Sequence, residues 1–134
     1  MDYTQYMNRA LQGLIREILS DVARDGLSGA THYYIAFQTN RADVQMPEWL
    51  RVKYPVEMSI VLQNQFESLK AGPDAFQVGL AFGGVPATLI VPYAAIKTFA
   101  DPSVSWGVQL TPEPAAEQTA TEGVVDLASF RTKK

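Results

Sequence analysis

The stretch from residue 75 to residue 84 reads Ala75-Phe76-Gln77-Val78-Gly79-Leu80-Ala81-Phe82-Gly83-Gly84. Bulky apolar residues alternate in it with small or polar ones, which is the side-chain period of a β-strand. The two glycines tolerate positive φ and therefore predict a tight hairpin turn directly after the strand. One face of the strand is expected to fill a core, while the other face is nearly bare.

The bare face of this strand has two interpretations. Small side chains at Gly79 and Ala81 leave space for a groove floor, where an extended peptide is bound by shallow pockets and main-chain hydrogen bonds. The same small residues are equally suited to accommodating a helix that packs across the sheet. The pattern alone leaves both interpretations open.

Further strands are predicted on either side of this hairpin. Segments rich in β-branched and aromatic residues are separated by glycine, proline and aspartate turn signals, and they cover residues 32–38, 58–62, 87–91, 96–99 and 105–110. Short strands at close spacing indicate an antiparallel sandwich or small barrel. Pro92 favours one helical turn over residues 93–95.

The N-terminal segment predicts an amphipathic helix. Apolar residues recur from Tyr3 to Val22 at spacings of three and four. Asp2 is placed to cap the start of the helix, and Gly26 can adopt the left-handed conformation that closes its end. The apolar stripe is wide enough to cover the chain's own core and also to contact a second copy, and both possibilities remain open.

The composition changes abruptly after Leu110. Residues 111–123 contain no aromatic or branched aliphatic side chain, so they cannot bury enough apolar surface to offset the entropy lost on ordering. Residues 124–134 restore apolar side chains and end in basic ones. The sequence thus predicts a folded domain over 1–110, a flexible linker over 111–123 and a terminal segment over 124–134. That last segment is either a tethered ligand for another protein or a final element that packs back onto the domain.

Charge and composition disfavour several classes of function. The net charge is -3 and the chain has no long basic run, so neither nucleic acid nor an anionic membrane surface is an expected partner. The 134 residues include no cysteine, which excludes disulfides and thiolate metal sites. No signal peptide or membrane span is predicted, so the expected location is the cytoplasm.

Catalytic constellations are also missing from the sequence. His32 is the only histidine and has no second histidine or cysteine to complete a metal site or a nucleophile relay. The glycines at 83 and 84 lack the lysine of a phosphate-binding loop. No cofactor is therefore expected and the chain is predicted not to be an enzyme. A hydrolase that depends on Glu57 or Asp43 is kept as a rival hypothesis.

The run from Leu80 to Ile96, together with Ser105-Trp106-Gly107-Val108 and the N-terminal helix, resembles the stringent starvation protein B family. The resemblance implies an α+β, mainly β fold: an N-terminal helix packed on a two-sheet antiparallel β-sandwich of Sm-like topology, with a disordered C-terminal tail. It implies a homodimeric adaptor that binds ssrA-tagged polypeptides and tethers them to the ClpX unfoldase of the ClpXP protease. Because Sm-like folds often hold RNA, an RNA-binding protein is the alternative.

The resemblance also implies roles for individual residues. The tag peptide is expected at Met46, Gln77, Gly79, Leu80, Ala81, Phe82 and Gly83. The N-terminal domain of ClpX is expected to bind Val124, Val125, Leu127, Phe130 and Arg131. The dimer contact is expected at Leu11, Leu14, Ile15 and Ile18.

Overall fold

The computed structural model describes residues 3–27, 29, 31–63 and 67–112 of the chain. Within these ranges the helices are α1 (Tyr3–Asp25) and α2 (Glu48–Lys53). The strands are β1 (Tyr33–Gln38), β2 (Glu57–Leu62), β3 (Glu67–Ala71), β4 (Ala75–Phe82), β5 (Val85–Pro92), β6 (Ile96–Asp101) and β7 (Trp106–Gln109). Two 3₁₀ turns, Tyr93–Ala95 and Pro102–Val104, flank β6.

The strands form two antiparallel sheets. One sheet has four strands in the order β2-β1-β6-β7, and the other has three in the order β3-β4-β5. Fully buried side chains from both sheets, including Ile35, Phe37, Phe76 and Phe99, share one core. The predicted α+β class, with an N-terminal helix on two antiparallel sheets, is confirmed. The predicted disordered tail lies outside the described residues.

Helix α1 covers the core with one face. Ile15 and Leu19 are completely buried and Val22 is 7% exposed, at the spacing that aligns side chains along a helix. The helix packs against β3 and the 3₁₀ turn at Tyr93–Ala95. Its end is closed as predicted, because Gly26 has a φ of 81° and donates its N–H to the carbonyl oxygen of Val22 at 2.7 Å. The predicted Asp2 cap lies outside the described residues.

The β4–β5 hairpin forms as the sequence predicts. Gly83 and Gly84 both have positive φ, at 59° and 84°, which is the backbone geometry of a two-residue turn that matches the twist of the flanking strands. Pairing continues without a shift from Phe82↔Val85 at the turn to Ala75↔Pro92 at the far end. This regular register fixes which side chains of the hairpin point into the core.

Two elements differ from the sequence-based expectation, which left residues 48–53 and 67–71 without regular structure. Helix α2 is too short to show a period, and it is held by the Arg51 guanidinium, which donates to the carbonyl oxygens of Thr39, Arg41 and Val44. Strand β3 lacks β-branched residues and contains Ser68 at a φ of 53°, where the register with β4 shifts. Tertiary contacts therefore create both elements.

The folded part of the chain continues just past β7. The buried side-chain amide of Asn8 donates to the carbonyl oxygen of Thr111 at 2.7 Å and accepts from the Thr111 N–H at 3.1 Å. One asparagine thus satisfies both main-chain groups of a residue 103 positions away. The contact ties the start of the predicted linker to the N-terminal half of α1.

Candidate peptide-binding groove

The register of the hairpin divides the predicted tag-binding residues between two faces. Gln77, Gly79 and Ala81 lie on the outer face of β4, where they pair with Ile90, Thr88 and Pro86 of β5. Leu80 and Phe82 lie on the inner face with the buried residues Phe76 and Val78. Ala81 is exposed, so helix α1 does not cover this part of the outer face. Gly83 is exposed in the turn.

The inner face is open at the turn end of the hairpin. Leu80 and Phe82 are only partly buried, in contrast to the complete burial of Phe76 and Val78 farther along the same strand. Met46 is also partly buried against the core, and it follows Gln45, which forms a two-bond bridge with Ile90 of β5. This antiparallel bridge places Met46 beside the inner face of the hairpin.

The edge of β5 offers main-chain hydrogen-bonding groups. The Gln45–Ile90 bridge shows that the N–H and carbonyl of Ile90 point away from β4, with both bonds at 2.9 Å. Alternation then directs the N–H and carbonyl of Thr88 to the same edge. No described residue pairs with Thr88 on that edge. Pro86 has no N–H, so Thr88 supplies the last complete donor–acceptor pair before the turn.

Sequence reasoning did not single out Thr88. The Thr88 side chain has no distinctive chemistry, and its segment has the same kind of β-strand sequence pattern as the other predicted strands. The free edge follows from the strand order β3-β4-β5 and from the place where the Gln45 bridge stops. Pro86 was the one available signal, since proline inside a strand marks an edge.

The residues predicted to form a dimer contact occupy different positions on α1. Ile15 is completely buried in the core of its own chain, and Leu11 and Ile18 pack partly against that core. Leu14 is partly exposed. Large apolar side chains that are well exposed lie nearer the start of the helix, at Tyr3, Tyr6 and Met7. The dimer contact itself remains a prediction.

The predicted ClpX-docking residues, Val124, Val125, Leu127, Phe130 and Arg131, lie outside the described residues. The two residues at the predicted linker boundary, in contrast, are described. Leu110 is 8% exposed and donates its N–H to the Lys97 carbonyl oxygen at 2.8 Å, and Thr111 is bound by Asn8.

The two carboxylates of the rival hydrolase hypothesis each face a cation. Glu57 accepts a hydrogen bond from the Lys97 ammonium at 2.5 Å, and Asp43 forms a bidentate ion pair with Arg41 at 2.9 Å. Both carboxylates are thus engaged by a neighbouring basic side chain, which suits a structural role. Among the described residues no group of three or more metal-ligating side chains is found.

A charged cavity of about 430 Å³ lies between helix α1, the β3–β4 turn and the Tyr93–Ala95 turn. Its wall includes Arg9, Gly13 and Arg16 of α1 and Tyr93 of the 3₁₀ turn. The Tyr93 hydroxyl donates to the Gly72 carbonyl oxygen at 2.9 Å. Burial, reinforced by the nearby Asp74 and opposed by Arg16, raises the pKa of Tyr93 to about 12, so this hydroxyl stays a neutral donor. Sequence reasoning gave this cavity no role.

The family model of stringent starvation protein B matches residues 5–130. The chain belongs to the stringent starvation protein B family. This match spans α1, both sheets and most of the C-terminal segment, so the resemblance seen in the β4–β5 region is confirmed. No curated protein is significantly similar to the chain.

Membership of the stringent starvation protein B family supports a general role as a proteolytic adaptor of the ClpXP system. The family is an adaptor family and is not known for catalysis. Membership of this family implies that the chain has protein partners, namely substrates and protease machinery. Among the described residues no helix is long and apolar enough to cross a membrane.

Proposed function

We propose that this member of the stringent starvation protein B family is a cytoplasmic, homodimeric adaptor that binds ssrA-type degradation tags and tethers them to ClpX. The observation that carries the proposal is the open end of the β4–β5 hairpin. There a partly buried apolar surface, with Leu80 and Phe82, adjoins the free main-chain edge at Thr88. This combination suits an extended, unfolded peptide, which offers side chains and main-chain groups together.

The tag is proposed to add to the edge of β5. Its main chain pairs with the N–H and carbonyl of Thr88, and alternate side chains enter the apolar surface formed by Met46, Leu80 and Phe82. Main-chain pairing tolerates varied sequences, while the apolar surface selects for small or apolar side chains. The side chains of these four residues, Met46, Leu80, Phe82 and Thr88, are not ionisable. They therefore repel neither an acidic nor a basic peptide.

The C-terminal segment is proposed to bind the N-terminal domain of ClpX through Val124, Val125, Leu127, Phe130 and Arg131. Residues 111–123 then act as the tether. A flexible segment of this length has a root-mean-square reach of about 20 Å. It gives an effective concentration in the millimolar range when both sites can be spanned, so weak individual contacts suffice for delivery.

The test separates the two halves of this mechanism. A labelled ssrA tag peptide is titrated with the full chain, with Thr88→Pro, and with Thr88→Val as the matched control that keeps the N–H. Thr88→Pro removes one main-chain donor from an edge, where proline is tolerated. We expect Kd to rise by roughly two- to tenfold, the worth of one hydrogen bond, and Thr88→Val to bind like the parent. Equal affinity of all three proteins would remove the β5 edge from the site.

The same proteins are compared in degradation of a tagged substrate by ClpXP. A chain ending at Gly123 is expected to keep full tag affinity and to lose the acceleration of degradation. If the shortened chain still accelerates degradation, tethering is contradicted. The affinity of Thr88→Pro for the tag tests only the groove. A parent chain with no affinity for the tag contradicts the proposed substrate altogether.

A further inference from the structure

The charged cavity beside α1 has an excess of positive charge. Three arginines, Arg9, Arg16 and Arg41, line it together with two aspartates, Asp43 and Asp74, which leaves a net charge of +1. Gln12 and Gly13 complete the helix side, and the β3–β4 turn and the Tyr93–Ala95 turn form the opposite side. An anionic group is therefore favoured in this space.

The three arginines differ in how they are satisfied. The side chain of Arg41 is only 4% exposed, and its guanidinium is held by both oxygens of Asp43 at 2.9 Å. Arg16 donates only a long hydrogen bond of 3.5 Å to the Pro73 carbonyl oxygen and forms no ion pair with a described residue. Arg9 has no hydrogen bond or ion pair in the described part of the chain. Two guanidinium groups are thus available to a ligand.

Gly13 keeps the helix wall of the cavity open. A glycine inside a helix destabilises it by about 0.5–1 kcal/mol relative to alanine. Neither backbone geometry nor crowding requires glycine here, since an added Cβ would meet nothing within 4 Å. Gly13 therefore leaves open space on the helix wall between Arg9 and Arg16.

The linker starts beside this cavity. Asn8, which binds Thr111, shares one side of α1 with Gln12 and Arg16, because residues four apart lie above one another on a helix. The next residues along the chain are Pro112 and then the acidic part of the linker. Residues 111–123 contain Glu113, Glu117 and Glu122 and no lysine or arginine. A segment with a net charge of -3 therefore leaves the domain next to two available guanidinium groups.

We propose that the acidic segment of residues 113–122 docks intramolecularly in the Arg9–Arg16 cavity. Each exposed ion pair contributes about 0.2–1 kcal/mol, which is too little for a separate peptide to bind. The covalent connection supplies an effective concentration in the millimolar range, so these weak contacts hold the segment in the cavity in a minority of molecules at any moment. The docked segment shortens the tether, and a partner that binds residues 124–134 has to compete with it. The contact itself does not depend on the proposed function.

A spin label tests the contact in the full-length chain. The protein has no cysteine, so Thr121→Cys provides a single labelling site in the linker. We expect the backbone amide of Gly13 to be broadened by the label more strongly than that of Gly26, which lies at the far end of α1. About 0.5 M NaCl, where the Debye length is roughly 4 Å, should reduce the difference to the level that follows from the anchoring of Thr111 by Asn8 alone.

Charge variants identify the partners. The triple variant Glu113→Gln, Glu117→Gln, Glu122→Gln and the double variant Arg9→Gln, Arg16→Gln should each reduce the broadening at Gly13 to its level at about 0.5 M NaCl. Arg24→Gln and Asp126→Asn are matched controls outside the contact, and both should preserve it. Arg24 suits this purpose because it is exposed and already paired with Asp21 and Asp25.

Three results would overturn the proposal. The first is equal broadening at Gly13 and Gly26. The second is broadening at Gly13 that is as strong in the triple glutamine variant as in the parent chain. The third is broadening that appears only when labelled chains are mixed with separate isotope-enriched chains, because the segment then docks on a second copy. Since no protease or tag is present, these outcomes are independent of the tests of the adaptor function.

Discussion

Helix α1 carries one apolar face that the chain covers and another that it leaves exposed. On the covered face, Ile15 and Leu19 are completely buried. On the other, Tyr3 is 71% exposed, Tyr6 57% and Met7 58%. Both faces repeat with the same helical period, so periodicity locates the helix without showing which apolar residues its own chain will cover.

The two faces also occupy different parts of the helix. The covered residues lie in its second half, over β3 and the core, whereas the exposed aromatic residues lie in the first two turns. A contiguous exposed apolar surface on a small protein is commonly a binding surface. We therefore place the proposed dimer contact on the exposed face, with Leu14 as the predicted contact residue that continues it, because Leu14 lies about two helical turns after Met7 on the same side of α1.

The largest expected effect comes from the covered face. Leu19→Ala removes a completely buried side chain and should lower the free energy of unfolding by about 2–5 kcal/mol, because the cavity left behind is only partly filled. Met7→Ala on the exposed face is the control and should change it by less than about 0.5 kcal/mol at concentrations where the chain is monomeric. Denaturant unfolding measures both. Equal losses would contradict the distinction between the faces.

The sequence predicted the elements whose signals are local. Strand β4 has the predicted bounds, residues 75–82, because alternation and the following glycine turn mark both of its ends. Gly26 closes α1 as predicted for the same reason. Strand β3 and helix α2 were missed because pairing with β4 and the hydrogen bonds of Arg51 define them, and neither is visible in a short window.

The candidate site was predictable only in part. The strand that carries Gln77 to Phe82 was identified with its bulky face and its bare face, but the predicted tag-binding residues include side chains from both faces. Which strand has a free edge depends on strand order, and Thr88 gains its role from that order alone. The Arg9–Arg16 cavity requires α1 and the β3–β4 turn to be adjacent, which no local pattern encodes.

A smaller effect is expected at Asn8, on the side of α1 that holds the start of the linker. Asn8→Ala removes both hydrogen-bond partners of the Thr111 main chain and should lower the free energy of unfolding by about 1 kcal/mol, since water can replace part of the loss at Thr111, which is exposed. Hydrogen exchange at the Thr111 amide should accelerate. Asn8→Asp keeps an acceptor for this amide and should slow its exchange relative to Asn8→Ala. An unchanged exchange rate in Asn8→Ala would show that other contacts hold the linker.

The smallest effect on folding is expected from a substitution on the exposed face of α1. This substitution is also the sharpest test of the difference between the covered and the exposed face. Met7→Lys should leave the free energy of unfolding of the monomer within about 0.5 kcal/mol of the parent value, because Met7 makes few contacts within its own chain. In a twofold-symmetric dimer built on this face, the substitution brings two like charges to the same interface. We expect the sedimentation coefficient to fall from the dimer to the monomer value.

Ala23→Lys is the matched control, since it adds the same charge at an exposed position on a different side of α1. It should sediment like the parent protein. If Met7→Lys also sediments as a dimer, the exposed face is not the contact, and the covered face cannot replace it without exposing Ile15.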